Sequence, residues 1–162
     1  LIVRRLLDFA KPVALQLEPV KLSQVLDETL ELLSNDAVKR RVQVMRAYTP
    51  EDAIPADPQQ LRQVFLNLFL NSLEAMDGVG GRLVVSTARQ PDCLTVTIQD
   101  TGCGIPKERA SHLFEPFFTT KPTGSGLGLS VAHTIIKEHR GTIRITSHPG
   151  EGTTVKVELP LN

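Results

Sequence analysis

No surplus of charge marks this 162-residue chain: Lys+Arg and Asp+Glu are both 18, so no global field favours nucleic acid or an anionic membrane surface. Any phosphate binding must therefore come from local groups. Cysteine is scarce. Cys93 and Cys103 form neither a CxxC pair nor a metal-ligand spacing, which fits a reduced, cytoplasmic setting, although a single disulfide between them stays open. No apolar run approaches the ~20 residues that span a bilayer, and no signal peptide is visible. What is present is ordinary for a folded domain. Hydrophobic residues make up 41% and charged residues 22%, in a length that suits about one domain with a core of its own. The chain starts at Leu1, not Met, and reads as a piece of something longer.

Periodicity divides the chain. Ile2, Leu6 and Phe9 recur at helical spacing until Pro12, which reads as the tail of a helix over 1–12. Residues 13–20, with Pro19, read as a linker into a domain over 21–162. Ser23 is expected to cap a helix whose stripe is Val25, Leu26, Leu30 and Leu33, and Val42 and Val44 suggest a short strand. Asp57-Pro58 is a strong start signal for a helix running to about Met76. Leu83–Ala88 and Leu94–Gln99 read as strands, 100–124 as a long loop, and about 126–139 as a second long helix. Thr142–Ser147 and Thr153–Leu159 then form a hairpin. Strands outnumber connecting helices, so the expected class is α+β: one mixed, mostly antiparallel sheet covered by helices on one face.

Two glycine-rich turns flank the long loop. The first is Asp100-Thr101-Gly102-Cys103-Gly104-Ile105, the second Gly124-Ser125-Gly126-Leu127-Gly128-Leu129-Ser130. Glycine permits close backbone approach to a ligand, and amides at a helix start suit phosphate. Neither turn is a Walker A, because no Gly-Lys-Ser/Thr closes it, and the second lacks dinucleotide-fingerprint spacing. Upstream, the helix 58–76 is apolar over most of its circumference, with Gln60, Gln63, Asn67, Asn71 and Glu74 on one stripe. Solvated faces favour Lys, Glu and Arg, so two asparagines one turn apart better fit amide oxygens aimed at a ligand. Mg²⁺ takes few protein ligands plus phosphate oxygens, so one amide oxygen suffices for it. Asp100 either caps its own turn or accepts the exocyclic amine of an adenine. Thr119, Thr120 and Lys121, in the segment 119–124, offer hydroxyls and one ammonium for phosphate, although Lys121 alone would be only a surface lysine.

In this order and spacing the chain resembles the catalytic, ATP-binding domain of bacterial two-component sensor histidine kinases, a branch of the superfamily shared with gyrase, Hsp90 and MutL. Asn67-Leu68-Phe69-Leu70-Asn71-Ser72 resembles the N box, Asp100–Ile105 the G1 box, Phe114-Glu115-Pro116-Phe117-Phe118 the F box and Gly124–Leu129 the G2 box. Gly150-Glu151-Gly152-Thr153-Thr154 resembles the closing strand motif, and Leu6–Pro12 the end of the preceding dimerisation helix. The resemblance covers about 21–162. It implies a two-layer α/β sandwich with a mobile ATP lid at about 103–127, binding ATP and Mg²⁺. Asn71 would ligate Mg²⁺, and Asn67 would support the metal and phosphates. Asp100 would bind adenine's amine, with Gly104 and Ile105 lining the base, and Gly102 would belong to the same nucleotide site. Lys121, Gly126, Leu127 and Gly128 would hold the triphosphate, Phe118, Thr119, Thr120, Gly124, Ser125 and Leu129 would complete the nucleotide site, and Thr154 would support the adenine end.

The implied reaction is transfer of the γ-phosphoryl group to a histidine on the protein's own dimerisation domain, and from there to a response regulator receiver domain. The parent would be a homodimer and this piece a monomer. An amide at 67 cannot act as a base toward water, whereas a neutral imidazole already presents a lone pair. That favours transfer over hydrolysis of the gyrase–Hsp90 kind. A third reading is a non-catalytic module whose lid reports nucleotide to a partner. None of His112, His133, His139 and His148 has the acidic neighbour and the proline five positions on that mark the family's acceptor; all four read as structural or solvated. Many relatives carry a lysine three residues after the metal-binding asparagine, followed by an aromatic. Here those positions are Glu74 and Ala75, with Met76 or the lid phenylalanines as candidates to replace the ring.

Overall fold

The computed structural model describes residues 14–122 and 124–162; the expected helix tail over 1–12 and the place of Thr123 in the lid lie outside the described residues. Along the chain run β1 (Glu18–Lys21), α1 (Leu22–Leu32), α2 (Ser34–Lys39), β2 (Val42–Ala47), β3 (Ala53–Ala56) and α3 (Pro58–Ala75). They are followed by β4 (Gly81–Arg89), β5 (Cys93–Asp100), α4 (Lys107–Ala110), α5 (Gly128–Glu138), β6 (Thr142–His148) and β7 (Gly152–Pro160). Five strands form one sheet in the order β2-β4-β5-β7-β6; β2 and β4 are parallel and the other pairs antiparallel. The expected mixed, mostly antiparallel sheet is present.

Alternation explains why one face of that sheet carries the helices. Val85 stands opposite Ile98, Ile98 opposite Val155, and Val155 opposite Ile145. Val96 stands opposite Val157, and Val157 opposite Ile143. This apolar face meets Leu61, Val64, Phe65, Leu68, Phe69 and Leu73 of α3, all at 1% exposure or less, and Ala132 and Ile136 of α5. Gln99, Lys156 and Arg144 occupy the opposite, exposed face. The sandwich is therefore a direct product of period-2 strands meeting period-3.6 helices.

α3 begins where its start signal places it. The Asp57 Oδ1 accepts from the backbone N–H groups of Gln59 and Gln60, both at 3.1 Å, and Pro58 fills the first helical position. Asp57 does more than cap. Its Oδ2 accepts from the Gln16 N–H at 3.2 Å, and its own N–H donates to His139 Nε2 at 3.0 Å. The other ring nitrogen of His139 lies 2.8 Å from the Ile135 carbonyl, so these partners assign the proton to Nδ1. The carboxylate thus ties the start of α3 to the segment before β1, and the backbone N–H of the same residue ties it to the end of α5. Replacing Asp57 with alanine is expected to lower stability by about 2 kcal/mol, the upper end for a cap. Urea unfolding monitored by circular dichroism would check it, and an unchanged midpoint would contradict the assignment.

Four local expectations are corrected. Residues 18–20 are not linker: β1 pairs antiparallel with β3, Val20 opposite Ile54, in a separate two-stranded sheet. Ser23 does not cap α1; it lies inside the helix, and its N–H donates to Asp52 Oδ2 at 2.6 Å, while the Leu22 N–H donates to the Asp52 carbonyl. The cap arrives from 29 residues away. Finally, the long loop is partly ordered by successive turns: after α4 the His112, Glu115 and Phe118 N–H groups each donate to the carbonyl three residues earlier. α5 begins at Gly128 rather than 126.

Candidate functional site

Successive turns of α3 meet both glycine turns and the lid, two of them through the polar stripe and the last through a backbone carbonyl. Asn67 Nδ2 donates to the Gly128 carbonyl at 3.2 Å, at the first residue of α5. One turn on, Asn71 Oδ1 accepts from Lys121 Nζ at 3.4 Å, and the same ammonium pairs with Glu74. At the end of the helix the Ala75 carbonyl accepts from the Cys103 N–H at 3.1 Å. Residues that lie far apart in sequence therefore converge along the C-terminal half of α3, which also carries the buried Leu68, Phe69 and Leu73.

Asp100 ends β5 with 3% of its surface exposed. Its Oδ1 accepts from the Gly102 N–H at 2.9 Å and the Thr153 N–H at 3.2 Å, and the Ser72 hydroxyl also bonds the carboxyl. Burial pushes its pKa above the usual carboxylate value, and the three hydrogen bonds pull against that. Asp100 does cap its turn, through Gly102, but both backbone donors use Oδ1. Oδ2 is left for side-chain and ligand donors, so the two roles the sequence leaves open are compatible.

The glycines answer to protein as much as to ligand. At Gly104, with φ +72°, an added Cβ would lie 2.0 Å from the His148 carbonyl oxygen. Here the close approach is to the β6–β7 turn, to which the loop is also bonded through Cys103 O to the Gly150 N–H at 2.8 Å and the Ile105 N–H to Ser147 Oγ at 2.8 Å. At Gly126, φ +69°, a Cβ would lie 2.4 Å from the carbonyl carbon of Phe117. This seats the phenylalanine-rich part of the lid on the second glycine turn. Behind it α5 starts with no side-chain cap, leaving the N–H groups of Gly128, Leu129 and Ser130 as donors at a positive helix end.

The remaining expected positions fall as follows. Thr119 Oγ1 accepts from the Lys121 N–H at 3.1 Å, and the Lys121 carbonyl accepts from the Gly124 N–H at 3.2 Å, closing a turn under the ammonium. Ser125 Oγ accepts from the N–H of Leu127, whose side chain is buried; Leu129 is half-buried and Thr120 is exposed. Phe118 lies beside His112, and Phe114 stacks on His133 with ring centroids 4.7 Å apart. Thr154 does not join the site. It stands opposite Gln99 on the outer face of the sheet, whereas Thr153 stands opposite Asp100 and bonds it. Strand alternation makes these neighbours point to opposite faces, so Thr153 and not Thr154 faces Asp100.

Ser72, Ser147 and Thr153 are contributors that sequence reasoning missed. Ser72 follows Asn71 directly but faces the buried side, and only the fold reveals that this side abuts Asp100. Met76 is fully buried under Gly81 and Thr101, so it packs the core and offers no face to a base. The histidines are structural or peripheral: His139 is held at both ring nitrogens, His112 pairs with Glu115, and His148 is exposed at the turn. His133 has its pKa lowered, by burial first and by Lys137 second. Among the described residues no group of three His, Cys, Asp or Glu side chains could hold a metal unaided. The donors that do converge, an amide oxygen and a carboxylate already facing an ammonium, have the chemistry of a seat for a cation that brings its own oxygen ligands. No helix among the described residues is long and apolar enough to cross a membrane.

Comparison with known proteins agrees with this fold. The sequence model of the family described as histidine kinase-, DNA gyrase B-, and HSP90-like ATPase matches residues 56–162. Sensor histidine kinase ZraS of Escherichia coli (strain K12) is 38% identical over 164 residues, covering 99% of this chain and 35% of that protein. Full-length ShkA, solved in complex with AMPPNP, matches with a TM-score of 0.87 at 26% identity, over 98% of this chain and 35% of that one. Histidine kinase ThkA, solved in complex with response regulator protein TrrA, gives 0.83 at 27% identity, over 99% and 46%. The chain spans about a third of the length of the curated relatives it matches. It belongs to the histidine kinase-, DNA gyrase B- and HSP90-like ATPase family, as a catalytic domain of the sensor histidine kinase kind.

Proposed function

We propose that this domain binds ATP together with Mg²⁺ and phosphorylates a histidine carried by an adjacent dimerisation domain, from which a response regulator is served. The observation that carries the reading is the convergence of Asn67, Asn71 and Lys121 beside the uncapped start of α5, with the buried Asp100 bonded to Ser72, the next residue of the same helix. Asp100 would accept an adenine amine through Oδ2. Gly128, Leu129 and Ser130 would donate backbone N–H groups to phosphate, and Lys121 would add a point charge there. Asn71 Oδ1 would hold the cation. ATP, when bound, supplies the γ-phosphoryl group, which passes to an imidazole nitrogen as ADP leaves.

The work left to the protein is positioning and charge stabilisation. Asn67 can donate and accept hydrogen bonds but cannot take a proton from water, which disfavours hydrolysis. The AMPPNP bound to ShkA supports nucleotide as the ligand, and the regulator bound to ThkA supports the partner class. Calorimetric titration with AMPPNP, with and without Mg²⁺, tests the binding part. Tighter binding with the metal is expected, together with negligible phosphate release from ATP by the domain alone. Metal-independent binding or steady phosphate release would overturn the reading.

A further inference from the structure

The pairing of Lys121 sets two of these proposed roles against each other. Its ammonium is shared between Asn71 Oδ1, at 3.4 Å, and the Glu74 carboxylate. A divalent cation on the same amide oxygen would sit within a few ångströms of that ammonium, and an ammonium facing Glu74 is withdrawn from phosphate. The arrangement is braced from the lid side by the Thr119 and Gly124 hydrogen bonds to the Lys121 backbone. It is also able to open, because the side chains of Lys121 and Glu74 remain 39% and 38% exposed.

We propose that Glu74 is a latch for the lid: it holds Lys121 on α3, and cation–nucleotide loading exchanges Lys121 from Asn71 and Glu74 to the phosphates. Glu74 is then a positioning residue acting through Lys121. The proposal rests on the nucleotide reading above and adds a regulatory partner to it. It also gives a physical role to a carboxylate standing where many relatives have lysine, since the cation at that end of the helix is supplied by the lid instead. An exposed ion pair shifts an equilibrium by about 1.5- to 5-fold, and the apparent affinity of a ligand changes by the competent fraction it finds.

The test is a double-mutant cycle of Mg-AMPPNP affinity across the unmodified chain, Glu74→Gln, Lys121→Met and the double variant, alongside Asp100→Asn. Simple repulsion between Glu74 and phosphate gives the same gain from Glu74→Gln in both backgrounds. The latch adds a further gain of about two- to five-fold only where Lys121 is present. Hydrogen exchange of the Thr119 to Lys121 amides in the chain alone is expected to be faster in Glu74→Gln than in the unmodified chain. Equal gains in the two backgrounds overturn the latch, and so does weaker binding by Glu74→Gln with Lys121 present, or unchanged exchange of these amides. A latch that fails while Asp100→Asn still loses nucleotide leaves the binding reading standing. If Asp100→Asn binds normally, it is the binding reading that fails.

Discussion

Replacing Asp100 with asparagine is expected to weaken ATP binding by ten- to a hundred-fold, about 1.5–3 kcal/mol for a hydrogen bond to a charged group, while leaving the fold intact. Asparagine is nearly isosteric, and its Oδ1 can keep the Gly102 and Thr153 N–H bonds at 2.9 and 3.2 Å. Its Nδ2 would present donors to the adenine amine, which is itself a donor. The pKa direction sharpens the test. A carboxyl whose folded pKa is raised favours the neutral form in the fold, so its contribution to stability is full below the unfolded carboxylate range and is lost as pH rises through the folded value. At neutral pH the variant should therefore be at least as stable as the parent while binding nucleotide worse. Nucleotide binding by the parent, which needs the ionised carboxylate, should fall on acidification at a higher pH than for an ordinary aspartate. Calorimetry and thermal unfolding on one preparation read both quantities, and retained affinity or a loss of stability parallel to the loss of binding would contradict the assignment.

Asn71→Ala carries the other large effect. Removing the amide oxygen takes away the proposed metal ligand, and phosphoryl transfer should fall by on the order of 10²–10³-fold, the scale of several kcal/mol of metal-ion stabilisation. The residue is half-buried on a helix face, and alanine is the better helix former, so stability should hold or rise slightly. Transfer assayed against Mg²⁺ concentration distinguishes a lost ligand from a damaged fold. A variant that retains Mg-dependent transfer would remove Asn71 from the cation site.

Much of this was legible in the chain because the decisive signals are local. Asp57-Pro58 marks α3, alternation at Leu94, Val96 and Ile98 marks β5, and the polar stripe through Asn67, Asn71 and Glu74 marks the working face of α3. The elements that escaped are those whose cause is distant. β1 and β3 are four residues each, carry Pro19 and Pro55, and exist because they pair with one another. α1 is capped by Asp52, not by any residue at its own start. α2, six residues long with only Ala37 buried, has no stripe to read. In the site the same rule separates what was read from what was not. Asp100 stands out beside its glycines, but its hydrogen bond from Thr153 crosses 53 residues and depends on a register that sequence does not display. In the sequence Glu74 reads as a missing lysine; in the fold Lys121, 47 residues on, pairs with it. Gly104 and Gly126 are legible as special positions, and the His148 and Phe117 backbones that require them are not.

The most direct measurement incubates the chain with ATP labelled on the γ-phosphate, Mg²⁺ and a separately supplied dimerisation domain carrying the acceptor histidine. Acid-labile label on that histidine with little free phosphate, and a histidine label that falls by on the order of 10²–10³-fold when Asn71 is alanine, are the predicted result. Label released only as free phosphate, or appearing nowhere, would contradict the account.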